Sequence, residues 1–188
     1  MRKLLRLLLG VLIVLAVGLT TAPAAQATTR PYCGIYWGSL VKTGGGLTSV
    51  PSGSDSVYNV RTGRHACYDR LVVDVSGPIG SYNVRYVTQI ASDGGGIPVP
   101  TRGGAALRIS VMNSGYDQYR TPTYVPANSH ELTNVRAYRT FRQIVWAGSY
   151  EGYSTVGIGV RARLPFRVFT LAGPGSNSRL VVDVAHRW

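Results

Sequence analysis

Six residues occur twice in this chain, word for word: Arg70-Leu71-Val72-Val73-Asp74-Val75 and Arg179-Leu180-Val181-Val182-Asp183-Val184. A β-branched run of this kind favours an extended strand. Side chains alternate between the two faces of a strand. Leu, Val and Val of each copy therefore point one way, into a core, and Arg, Val and Asp point the other. The two copies are expected to occupy equivalent, pseudo-symmetric places, one per sheet being one such arrangement. Their outward Arg and Asp either pair with neighbours, at roughly 0–1 kcal/mol for an exposed pair, or meet a ligand.

The remaining pattern is also β. Tyr82 to Val87 and Leu107 to Val111 alternate polar and apolar residues. Gln143 to Tyr150, Ser154 to Arg161 and Phe166 to Thr170 read as further strands. A short helical turn is expected between Ser129 and Arg142; elsewhere beyond the first 27 residues no long 3.6-residue apolar period is kept. Many short strands separated by Gly/Pro turns indicate an all-β, two-sheet β-sandwich with a pseudo-symmetric internal repeat. Regular structure is expected from near Val57. Residues 28–56 read as an irregular N-terminal arm and linker: Lys42-Thr43-Gly44-Gly45-Gly46 breaks the chain, and Pro51 to Ser56 has linker composition.

The first 27 residues have the order of a secretory signal peptide. Arg2, Lys3 and Arg6 form a basic stub, Leu7 to Leu19 is apolar, and Ala25-Gln26-Ala27 ends a small-residue stretch. The apolar run is short for a membrane span of roughly 20 residues, so cleavage after Ala27 is expected rather than an uncleaved anchor. Removing 27 of the 188 residues leaves 161, enough for one domain with a real core. No stable membrane span is expected after cleavage.

Three bases leave with the leader, which takes the formal net charge from +12 to +9. Lys42 is the one lysine left; the other bases are arginines, whose planar forks suit carboxylate and phosphate. Such charge draws an exported protein to anionic surfaces, or serves only solubility. Export argues against nucleic acid as partner. Cys33 and Cys67 are the two cysteines. An even count beyond the cytoplasm fits one disulfide, which would staple the arm to the domain. The chain-entropy model gives roughly 4 kcal/mol for such a loop. The rival reading, metal-binding thiols, lacks ligands nearby: His65 is close, but there is no Cys-x-x-Cys.

Catalytic patterns are missing. His65, His130 and His186 form no zinc-helix spacing. Gly148-Ser149-Tyr150-Glu151-Gly152 places Ser in the wrong slot for a nucleophile elbow, and the Gly-rich stretches lack the Lys-Ser/Thr of a phosphate loop. Glu151 would need a facing carboxylate to hydrolyse a glycoside. No catalytic residue, metal or cofactor is expected. The twelve tyrosines and three tryptophans suit sugar stacking or a protein interface, with Tyr150 and Tyr153 flanking Glu151-Gly152.

Arg61-Thr62-Gly63-Arg64-His65-Ala66-Cys67-Tyr68-Asp69-Arg70, running into Leu71 to Val75, resembles the opening of the AMIN-like domain. Gly148 to Gly152 followed by Val156-Gly157-Ile158-Gly159-Val160 looks like its middle motif. Pro165 to Phe169 and then Arg179 to His186 are similar to its closing motif. The resemblance covers 57–188 and implies a secreted or lipid-anchored protein of high-GC Gram-positive bacteria. It also implies distant kinship with the AMIN domain of N-acetylmuramoyl-L-alanine amidases, two packed β-sheets that bind peptidoglycan. The amidase part has no counterpart here.

The expected role is a secreted, non-catalytic domain, extracellular and cell-wall associated, that binds peptidoglycan or an anionic wall glycan. Arg64, Arg70 and Arg179 are the candidates for gripping carboxylates or phosphates, and Tyr150 and Tyr153 for lying against sugar. Two alternatives remain: a protein-interaction module, such as an inhibitor or accessory subunit of a secreted enzyme, and a hydrolase with an unrecognised site.

Overall fold

A computed structural model describes residues 31–45 and 55–188. The expected leader and most of the linker lie outside the described residues. Residues from Pro31 onward form one compact unit.

Every regular element described is a strand: β1 Lys42–Gly44, β2 Val57–Arg64, β3 Tyr68–Val75, β4 Tyr82–Val87, β5 Ala105–Val111, β6 Phe141–Tyr150, β7 Tyr153–Val160, β8 Phe166–Ala172 and β9 Ser178–Ala185. They form a five-stranded sheet, β1-β4-β5-β7-β6, and a four-stranded sheet, β2-β3-β9-β8. All pairings are antiparallel. The chain is thus an all-β two-sheet sandwich. The arm is not wholly irregular, since Lys42–Gly44 extends the five-stranded sheet along β4.

The repeat copies are the two central strands of one sheet, not one per sheet. Read against itself in antiparallel order, Arg-Leu-Val-Val-Asp is self-complementary. Arg70 lies opposite Asp183, Leu71 opposite Val182, Val72 opposite Val181, Val73 opposite Leu180 and Asp74 opposite Arg179. Pairing of the copies therefore sets opposite charges across both ends while keeping every apolar side chain on its own face.

Leu71, Val73 and Val75 with Leu180, Val182 and Val184 are buried in the main core. Val84, Leu107, Ile109, Ile144, Val156 and Ile158 of the other sheet meet them there. Each such side chain contributes about 1.5–3 kcal/mol when fully buried. Tyr86 closes one margin: its hydroxyl donates to the Leu164 carbonyl at 2.6 Å and accepts from the Leu164 amide at 3.0 Å. Burial pushes its phenol up to about 12.

The outer face of the five-stranded sheet carries a second, small cluster of Ile90, Val145 and Ala147. Gly157 and Gly159 make room for it. A Cβ at Gly157 would lie 2.7 Å from Val145 Cγ2 and 2.8 Å from Ile90 Cγ1, and one at Gly159 would strike the Arg102 carbonyl. The alternation in Val156-Gly157-Ile158-Gly159-Val160 is thus core on one face and close approach of the 88–104 loop on the other.

No helix forms between Ser129 and Arg142; the segment holds isolated turns, closed by the Glu131 amide on the Asn128 carbonyl and the Tyr138 amide on the Val135 carbonyl. Asn128 Oδ1 accepts from the His130 amide and Asn134 Oδ1 from the Arg136 amide, while the Leu132 amide reaches across to the Ile144 carbonyl. Asn side chains that capture amides two residues on favour turns over helix.

Candidate functional site

The outer face of the four-stranded sheet holds three cross-strand rows. They are Gly63–Arg70–Asp183–Arg167, Arg61–Val72–Val181–Phe169 and Asn59–Asp74–Arg179–Leu171. In the first row Asp183, fully buried, takes Arg70 in a bidentate pair at 2.6 and 2.9 Å and Arg167 at 2.8 Å. The Asp183 hydrogen bond raises the Arg70 pKa, against the opposing effect of burial. Both guanidiniums lie over the Tyr68 and Phe169 rings, and Arg167 also over Trp37 of the arm.

Internal symmetry would pair Asp74 with Arg179, but the neighbours differ. Asp74 accepts from Arg61 at 2.8 and 3.0 Å and from Asn59 at 3.0 Å. Arg179 turns away and donates to the Ala172 carbonyl at 2.9 Å. Two of the three arginines singled out from the sequence, Arg70 and Arg179, are thus occupied inside the domain.

The Cys33–Cys67 disulfide is formed, with Cα atoms 6.4 Å apart. It brings Tyr32 and Trp37 against the end of the sheet, where Arg187 lies over the Tyr32 ring and Trp37 beside Tyr68.

Arg64, the third arginine, lies in a different setting. It is exposed at the β2–β3 hairpin, beside a cleft of about 640 Å³ shared with His65, Tyr138, Arg139 and His186. On its floor Asp69, 1% exposed, accepts from the Thr140 and Phe141 amides at 2.5 and 3.2 Å and faces His186 Nε2 at 3.2 Å. The Thr62 and Tyr138 hydroxyls meet at 2.8 Å along one wall. Beyond Tyr138 the surface continues into a groove of about 840 Å³ lined by Arg136, Arg142 and the Arg102–Glu131 ion pair.

This end of the sandwich is basic because its arginines outnumber its acids, Glu131 being paired with Arg102 and Asp69 held by amides and His186. Asp74, Asp93, Asp183 and Glu131 are in ion pairs with arginine, and Asp117 accepts amides of its own turn. Arg64, Arg136, Arg139 and Arg142 make no ion pair among the described residues.

Tyr150 and Tyr153 are exposed and face each other across the β6–β7 hairpin. They stand at the far end of the strand that begins at Phe141, next to Asp69. At about 3.3 Å per residue this places them some ~30 Å from the Arg64 cleft, so the structure does not bring the five candidates into one site. Tyr150 and Glu151 share a smaller groove with Tyr116 and Arg120. Among the described residues the one carboxyl clearly raised in pKa is Asp93, through burial, partly offset by Thr155 and Arg108; it is engaged by both.

Arg136, Arg139 and Arg142 are not among the residues singled out from the sequence. Their spacing of three is a visible signal; in the structure Arg136 and Arg142 line the larger groove and Arg139 the cleft beside it. Asp69 and His186, which are 117 residues apart, are not singled out either.

No curated protein matches the chain. Comparison with protein families matches the AMIN-like domain over residues 55–186, well over half of the chain and including both repeat copies and the whole cleft. The chain therefore belongs to the AMIN-like domain family.

Proposed function

We propose that this protein is an exported, non-catalytic module that holds an anionic polymer of the bacterial envelope, peptidoglycan or an associated wall glycan. The observation that carries the reading is the gathering of Arg64, Arg136, Arg139 and Arg142, which have no carboxylate partner among the described residues, around two joined grooves at one end of the sandwich, Arg142 being bonded to backbone carbonyls. Forked cations on a grooved surface suit repeated carboxylates or phosphates. Family membership points to the envelope, and the disulfide suits an oxidising compartment. The ion-paired sheet face is a structural support in this reading, with Arg70 and Arg167 held by Asp183 and stacked on aromatic rings.

Sedimentation with purified cell wall across a salt series tests it. Retention is expected at about 50 mM salt and is expected to fall at least tenfold by about 500 mM, as screening shortens the reach of exposed charges. No retention at low salt would sink wall binding.

A further inference from the structure

We propose that the β6–β7 hairpin end of the sandwich is a site for uncharged sugars, with the Tyr150 ring as its platform and the Glu151 carboxylate as its acceptor. The inference goes beyond the envelope reading and does not rest on the arginine grooves, which lie at the opposite end.

The hairpin is built against its own local preference. Tyr150 pairs with Tyr153, so Glu151 and Gly152 form a two-residue turn, with φ of 49° and 83°. Positive φ at both positions is the type I′ arrangement, which favours Asn or Gly at the first of them. Glu151 is an unfavoured residue there, is exposed, and makes no ion pair among the described residues. Three non-Gly residues among those described have positive φ, and two of them, Arg120 and Glu151, line one groove of about 480 Å³. Backbone held in sparsely populated regions gathers at ligand clamps.

The platform is fixed from below. A Cβ at Gly94 would lie 2.8 Å from Tyr150 Cγ and 3.0 and 3.1 Å from its two Cδ atoms, which is above the ring. One face of Tyr150 therefore rests on the Gly94 backbone. No other ring stacks on it among the described residues, and at 51% exposure it still lines the groove.

Beside it stand the groups a sugar hydroxyl needs, one acceptor and one donor. Ionised Glu151 only accepts. The Tyr116 hydroxyl accepts from the Gly152 amide at 3.3 Å and keeps its own hydrogen to donate. The negative face of an aromatic ring attracts the C–H face of a pyranose.

Charge and lining select the occupant. Arg120 offsets the charge of Glu151 without pairing with it, so the groove has no net formal charge; Arg120 is assigned no contact with the sugar. A second groove, of about 610 Å³, shares the 116–120 turn and repeats the chemistry with Tyr58, Tyr119, Gln118 and Asn177. No Leu, Ile, Val or Met lines either groove among the described residues, whereas the core of a protein interface is apolar. Ring faces beside amides, hydroxyls and a carboxylate suit a short chain of neutral sugars.

The test titrates the intact protein with chitotetraose, built of N-acetylglucosamine, and with cellotetraose, built of glucose, followed by amide NMR. Shifts should centre on Gly94, Tyr150, Gly152 and the 116–120 turn. Tyr150→Ala should weaken binding about tenfold, the worth of a good aromatic contact. Tyr36→Ala, which removes a tyrosine 73% exposed on the arm, should leave binding unchanged. Glu151→Asn suits the turn, so it should raise Tm by about 2 °C while weakening binding about fivefold.

Binding of either tetrasaccharide at these positions supports the proposal, and preference for chitotetraose assigns its acetamido N–H to Glu151. If Tyr150→Ala does not fold, the wild-type shift map decides instead. No shifts, shifts centred on the arginine grooves, equal losses in Tyr150→Ala and Tyr36→Ala, or an unchanged affinity in Glu151→Asn would overturn the inference. Salt-dependent wall retention in that event would leave the envelope reading standing.

Discussion

Asp183→Ala is expected to destabilise the domain by about 3–5 kcal/mol, the range for removing one partner of a buried ion pair. For a domain of this size that corresponds to a fall in Tm of roughly 10 °C. The carboxylate is fully buried and holds two guanidiniums, those of Arg70 and Arg167. Without it, two cations face each other among the rings of Tyr68 and Phe169. The comparison that makes this specific is Asp74→Ala. Arg61, the ion-pair partner of Asp74, has a side chain 51% exposed and can turn to water, so its loss should cost about 1 kcal/mol. Urea unfolding of the two variants reads the difference; equal costs would mean that the Asp183 cluster is not the lock on the outer face.

Asp69→Ala carries the second large expected effect, about 3–4 kcal/mol, and for a different reason. Its carboxylate lies between the layers, accepting amides from Thr140 and Phe141 at the start of β6 while its own backbone belongs to β3. Both amides and the His186 ring lose their acceptor together. Each unsatisfied donor costs about 1–3 kcal/mol. The damage should be local as well as global: hydrogen exchange at Thr140 and Phe141 should speed more than exchange at Leu180 or Val182 in the core. Uniform acceleration across the domain would place the bridging role elsewhere. Because the same segment carries Arg136, Arg139 and Arg142, this variant should also lose wall binding at temperatures where it remains folded.

The repeat shows what the sequence could and could not tell. Its alternating Leu and Val announced two strands with one buried face, and the inner faces are as that alternation requires. Which sheet each copy joins was also latent in the letters, since Arg-Leu-Val-Val-Asp complements itself in antiparallel order. Period-two patterning alone cannot choose a partner, because the same inward face would serve either sheet of a sandwich.

The roles of the outward residues were still less accessible. Arg70 and Arg179 are the same letter in the same word, yet one grips Asp183 and the other a backbone carbonyl. Their differing fates come from Arg167 on one flanking strand and from Asn59 and Arg61 on the other. The candidate cleft was legible only at Arg64. Asp69, Arg139 and His186 come together through a contact between layers, which no local spacing encodes.

Sedimentation with purified wall at low salt, comparing two variants of equal charge loss, tests the account most directly. One replaces Arg136 and Arg139 with Gln at the grooved end; the other replaces Arg85 and Arg120, both exposed elsewhere on the domain. The first should bind at least tenfold more weakly than the parent protein and the second nearly as well. Equal losses in the two variants, or none in the first, would contradict an envelope-binding surface at that end of the sandwich.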